Sequence, residues 1–254
     1  QPQKSGDYWV HAIVRGSDGK EYTNTVGRTI AFREFDSHAR GVMRNIIFAV
    51  ETGGQIYGNA KYNTFCPAFN ITQNEKAITI GAGGWYATKA QQLLKLIRTE
   101  DPEMFKKIDT AGIGYDLDNC DWTIYGSDGN GHRTIERGSE KAICIQEIIS
   151  SDAGMKVQDQ LVDEDMTSYI NKAKALGVTD LKAQMFCANI HHLGGYGAMK
   201  RVITDCKGDG LTLSMNNLWI SMRNHTSNLD GNSVGANKYK TRHEKVMKWI
   251  NMYI

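Results

Sequence analysis

The hydrophobic pattern changes rhythm near residue 36. Before it stand two β-forming stretches, Tyr8-Trp-Val-His-Ala-Ile-Val14 and Glu21-Tyr-Thr-Asn-Thr-Val26, which flank Gly16-Ser-Asp-Gly19 and predict a hairpin around a turn. Two strands alone are marginally stable. The hairpin is therefore expected either to pack on the rest of the chain or to close a β domain that precedes it, with residues 1–35 set apart from 36–254. Beyond it, Val42, Met43, Ile46, Ile47 and Val50 recur at the three-and-four spacing of one buried helix face. Asp36 or Ser37 can cap the start of this helix, and Gly53 or Gly54 can supply the positive φ that ends it.

Helical periodicity or caps return at Gln91–Ile97, Pro102–Ile108, Ser139–Ile149, Met155–Leu176, Thr179–His192, Tyr196–Ile203, Ser214–Met222 and Lys238–Ile254. Between helices, Ala77-Ile-Thr-Ile80 predicts a short strand that runs into the glycine turn Gly81-Ala-Gly-Gly84. Two stretches, Gln55–Lys76 and Ile108–Gly138, predict irregular inserts. The fold class expected is mainly α (α+β): a helical domain with a small β element after the first helix, plus the N-terminal hairpin.

Composition narrows the picture mainly by exclusion. A net charge of +2 over 254 residues, with no basic run interleaved with aromatics, gives no nucleic-acid signature. No stretch approaches the ~18–20 apolar residues of a membrane span. The start at Gln1-Pro2-Gln3 is read as that of an excised or processed piece, so further domains of a longer chain are expected partners. The five cysteines are odd in number and widely spaced, without the paired spacing of a zinc site. No cofactor and no metal is implied. His191 and His192 are adjacent on a predicted helix and point about 100° apart, which makes a shared ion unfavourable.

The residue with the most chemistry is Glu51, the last of the first helix. A carboxylate beside a helix C-terminus and beside Ile47 and Val50 is disfavoured in its charged form, so its pKa is expected to be raised, as a general acid near neutral pH requires. The plainer reading is a solvated helix-end glutamate. The long insert after Glu51 carries Tyr57, Tyr62, Phe65 and Phe69. Their rings suit sugar stacking, or else they pin the loop to the core. The glycine turn lets backbone approach a ligand closely.

The order helix-Glu51-Thr-Gly-Gly, loop, strand ending Ile80-Gly81, then Trp85 and Ala90-Gln-Gln-Leu-Leu94 resembles the lysozyme superfamily. With Gly154–Leu161, Ala188–Ile203 and Tyr239–Ile250 it is similar, more closely, to the chitosanase-like glycosidase domains of phage endolysins, phage tail lysins and clostridial prophage lysins. The resemblance covers roughly 36–254 and implies a lysozyme-like fold. It also implies hydrolysis of the peptidoglycan glycan strand, by a phage-encoded or secreted enzyme acting at the bacterial cell wall. Glu51 then matches the catalytic acid. Where related domains carry an aspartate, this chain has Asn74-Glu75, so Glu75 is the candidate second carboxylate, with Asp116, Asp118 and Asp121 as alternatives. Tyr57, Asn74, Thr79, Gly83, Trp85 and His192 are the expected substrate-binding residues. For His192, and equally for His191, capping of the helix end is the competing role. Two other functions stay open: a cell-wall cysteine peptidase centred on Cys120, and a glycan-binding module without catalysis.

Overall fold

A computed structural model describes residues 6–15, 21–30, 35–52, 56–69, 75–225 and 235–254. The chain divides into two compact units, Gln1–Asp36 and Ser37–Ile254. In the first, β1 (Gly6–Arg15) pairs antiparallel with β2 (Glu21–Ile30), with Val10 opposite Val26. Both strands run longer than the sequence pattern predicts. Residues 16–20, where the turn is expected, lie outside the described residues, as do Gly53 and Gly54.

The second unit is mainly helical, with nine helices among the described residues and one small sheet. Helix α1 (Ser37–Glu51) buries Val42, Met43, Ile46, Ile47 and Phe48. Each such large apolar side chain, withdrawn from water, contributes about 1.5–3 kcal/mol. The helix end is tied by Thr52, whose hydroxyl lies 2.7 Å from the Phe48 carbonyl and 3.2 Å from that of Asn59, and accepts from the Lys61 N–H. That clasp fixes where Glu51 stands.

The sheet has the order β3 (Phe65–Cys66), β4 (Thr79–Ile80), β5 (Trp85–Tyr86), antiparallel throughout. Helices α2 (Thr88–Glu100), α3 (Pro102–Ile108), α4 (Ile113–Asn119) and α5 (Glu140–Ser150) come next. Then come α6 (Asp152–Ala175), α7 (Leu181–Gly208), α8 (Met215–Asn224) and α9 (Lys240–Tyr253). Side-chain caps start many of them: Asp101 accepts from Met104 N, Ser151 from Gly154 N and Asp180 from Ala183 N. Helix α6 is the spine, packed against α1, α2, α5 and α7.

One prediction needs correction. The stretch 108–138 is not wholly irregular: α4 forms within it because the Asp109 carboxylate accepts from the N–H groups of Ile113 and Gly114, at 2.6 and 2.7 Å. The break expected at Gly194 is present one residue later: Gly195 (φ 77, ψ 178) is non-helical and separates two helical segments within α7.

Candidate active site

Glu51 ends α1 with a partly buried side chain, 21 % exposed, and meets three other segments. Arg242, from α9, places Nη1 2.6 Å from Glu51 Oε1. His192, from α7, places Nε2 3.4 Å from the same oxygen and 3.0 Å from the Gly83 carbonyl. Both neighbours of Nε2 are acceptors, so this nitrogen carries the proton and donates. The Gly81–Gly84 turn closes the group: a Cβ on Gly84 (φ 66) would stand 3.1 Å from Glu51 Oε2.

The turn is held from beneath. The Gln158 side chain of α6, fully buried, accepts from Ala82 N at 2.7 Å and donates to the Ile149 carbonyl at 2.7 Å. Gly81 (φ 78) has no room for a side chain, since a Cβ would lie 2.7 Å from Gln158 Oε1 and 2.9 Å from the Trp85 ring.

The expected rise in the Glu51 pKa is not found. Burial pushes it up, but the Arg242 charge and the hydrogen bonds and charge of His192 and Arg242 outweigh burial, and the carboxyl is held at about 2. Burial acts on the charged form as expected, yet a guanidinium in contact wins. Arg242 is anchored in turn. Its Nε donates to Asn189 Oδ1 at 3.1 Å, and Asn189 Nδ2 lies 3.3 Å from His243 Nδ1. Asn189 and His243 are both fully buried. Arg242 Nη2 and Trp85 Nε1 are buried without a hydrogen-bond partner among the described residues.

The other sequence candidates divide between the site and the scaffold around it. Gly83 joins Glu51 through His192. Trp85 is buried beneath the turn, against Gly81 and Gly83, and supports it. Thr79 lies in β4 opposite Tyr86. Glu75 is exposed, at the opposite end of β4 from the glycine turn, and its carbonyl accepts from Phe69 N. Tyr57 stacks on Tyr253 with centroids 4.0 Å apart and tilts against Trp249 at 6.0 Å, the loop-pinning arrangement. Asn74 lies outside the described residues. His191 stacks on Tyr169 at 3.7 Å, while His192 faces Glu51, so the two imidazoles point to different partners. Among the described residues no group of three or more His, Cys, Asp or Glu could hold a metal ion.

The aspartates of the second insert are engaged elsewhere. Asp118 makes a two-pronged pair with Arg98 at 2.9 Å, and Asp121 accepts from Thr123. Asp116 is buried. It takes the Tyr125 hydroxyl at 2.5 Å and pairs with Lys141. Cys120 Sγ sits 3.6 Å from Asp116 Oδ1. Burial and then the Asp116 charge push the thiol pKa up, which disfavours the thiolate. Of the histidines a peptidase could use, His132 pairs with Asp128 at 2.7 Å, His191 is stacked on Tyr169 and His192 is committed to Glu51 and Gly83.

The residue that sequence reasoning missed is Arg242. Its signal is visible in retrospect: it precedes Val246 and Trp249 at the four-and-seven spacing of the buried face of α9, and an arginine on such a face requires an anion. Comparison with models of known protein families, with curated proteins and with solved structures returns no match.

Proposed function

We propose that the unit Ser37–Ile254 is a lysozyme-like glycoside hydrolase that cuts the glycan strand of bacterial peptidoglycan, as a phage-encoded or secreted enzyme acting at the cell wall. The observation that carries this reading is the Glu51 carboxylate, set at a helix end between Arg242, His192 and a glycine turn of a three-stranded antiparallel sheet. The order of elements, helix with terminal glutamate, small sheet, then helices, supports it as well.

In the free protein Glu51 is ionised. To protonate a glycosidic oxygen it must first take up a proton, and a bound glycan favours this in two ways. Covering Glu51 removes the water that solvates its charge, and a sugar oxygen accepting from Arg242 weakens the pair. His192, held by the Gly83 carbonyl, stays as a donor beside the reacting oxygen. Glu75, exposed, is the proposed second carboxylate, which stabilises the oxocarbenium-like transition state or activates water.

Release of reducing ends from purified peptidoglycan tests the proposal. Glu51→Gln keeps shape but has no proton to give, so turnover is expected to fall by about a hundredfold or more with folding intact. Glu75→Gln is expected to lower the maximal rate. A folded Glu51→Gln protein with wild-type hydrolysis removes the proposal. Free amines released in place of reducing ends point to a peptidase, and neither product points to a binding module.

A further inference from the structure

We infer that Asn189, which acts through another side chain and not on the substrate, is the positioning residue that fixes the Arg242 guanidinium against the Glu51 carboxylate. The inference rests on the glycosidase reading only for its consequence in turnover. Arginine has donors alone, so Arg242 Nε can only donate, and the Asn189 amide must present its oxygen to it. This orients the amide: its NH2 group faces His243 Nδ1, which therefore accepts. Asn189 is fully buried, so water does not replace the bond.

Two bonds at opposite edges of one guanidinium plane, Nε to Asn189 and Nη1 to Glu51, fix both the place and the tilt of that plane. An unheld arginine side chain samples many rotamers, and Asn189 holds Arg242 in one conformer before any ligand arrives. Among the described residues, the groups that face Glu51 are Arg242 from α9, His192 from α7 and the backbone of the Gly84 turn. His192 keeps its own anchor on the Gly83 carbonyl, so loss of Asn189 acts on Arg242.

The test is a carbon-detected NMR titration of the Glu51 carboxyl, assigned by its absence in Glu51→Gln. It is run on wild type, Asn189→Leu, Arg242→Leu and the double variant, with Asn189→Ala in reserve should the leucine not fold. Asn189→Leu is expected to move the Glu51 titration upward by at least about one pH unit, the scale of an opposite charge in contact. In the Arg242→Leu background the same change is expected to move it no further. An unmoved titration in Asn189→Leu, or an equal movement without Arg242, overturns the inference. Reducing-end release by the same proteins is a separate readout, whose alkaline limb should track Glu51 upward in Asn189→Leu. A wild type that cuts no glycan removes the glycosidase reading and leaves the titration result standing.

Discussion

Replacing Glu51 by glutamine should make a difference to stability that depends on pH in a calculable way. The folded carboxyl sits at about 2, below its ordinary 4.5. As pH falls the unfolded chain therefore takes up the proton first, so the stability that Glu51 contributes is fully present above 4.5 and is lost as pH drops toward 2. At about 1.4 kcal/mol for each pH unit, that interval amounts to about 3 kcal/mol. Glu51 is 21 % exposed and Arg242 11 %, so solvent screens the pair only slightly. Urea unfolding of wild type and Glu51→Gln should give a gap at pH 7 that narrows by about 2 kcal/mol at pH 3, since by then most of the unfolded-state protonation has occurred. A gap that stays constant between pH 7 and pH 3 would show that Glu51 is not held ionised by Arg242, and the account of the site would fail with it.

Two further outcomes are expected. Ala87, the residue before α2, has φ 53 and ψ −121, a conformation that costs an L-residue about 1–3 kcal/mol; with glycine's entropy cost of about 0.5–1 kcal/mol set against it, Ala87→Gly should gain about 1 kcal/mol and raise the melting temperature by about 2–4 °C, and a fall would argue against strain there. Cys120→Ser should leave wall lysis intact, because burial and then the Asp116 charge raise the thiol pKa and disfavour the nucleophilic thiolate; lost lysis at unchanged melting temperature would promote the peptidase reading.

Much of the helical fold is legible because it is written in local spacing. Of the five apolar residues that predict the first helix, Val42, Met43, Ile46 and Ile47 are buried and Val50 is half-buried, and the helix ends at Glu51. Short elements leave no such trace. The two residues of β3 cannot show alternation, and in seven-residue α4 the apolar face is only Ile113 and Leu117, with the first N–H groups held by the Asp109 carboxylate. The charge state of Glu51 is illegible for a different reason. Every neighbour in sequence argues for a raised pKa, and the group that reverses the sign arrives from α9 near the far end of the chain. Local sequence reports desolvation well and distant ion pairs hardly at all, unless an arginine on an apolar face is taken as a question about its partner.

The buried Gln158 bears on how this site could be moved. Its one amide joins the Ala82 N–H of the glycine turn to the Ile149 carbonyl at the end of α5, with the Tyr62 carbonyl 3.3 Å from the same nitrogen. A transplant of the loop and sheet, residues 56–86, into another helical scaffold would therefore carry an unsatisfied N–H beneath its glycine turn unless the host supplied a glutamine from a helix at the same height. The transferable unit is the loop together with the corner between α5 and α6, two pieces of chain that are separate in sequence and that recombination at a single pair of crossover points would not keep together.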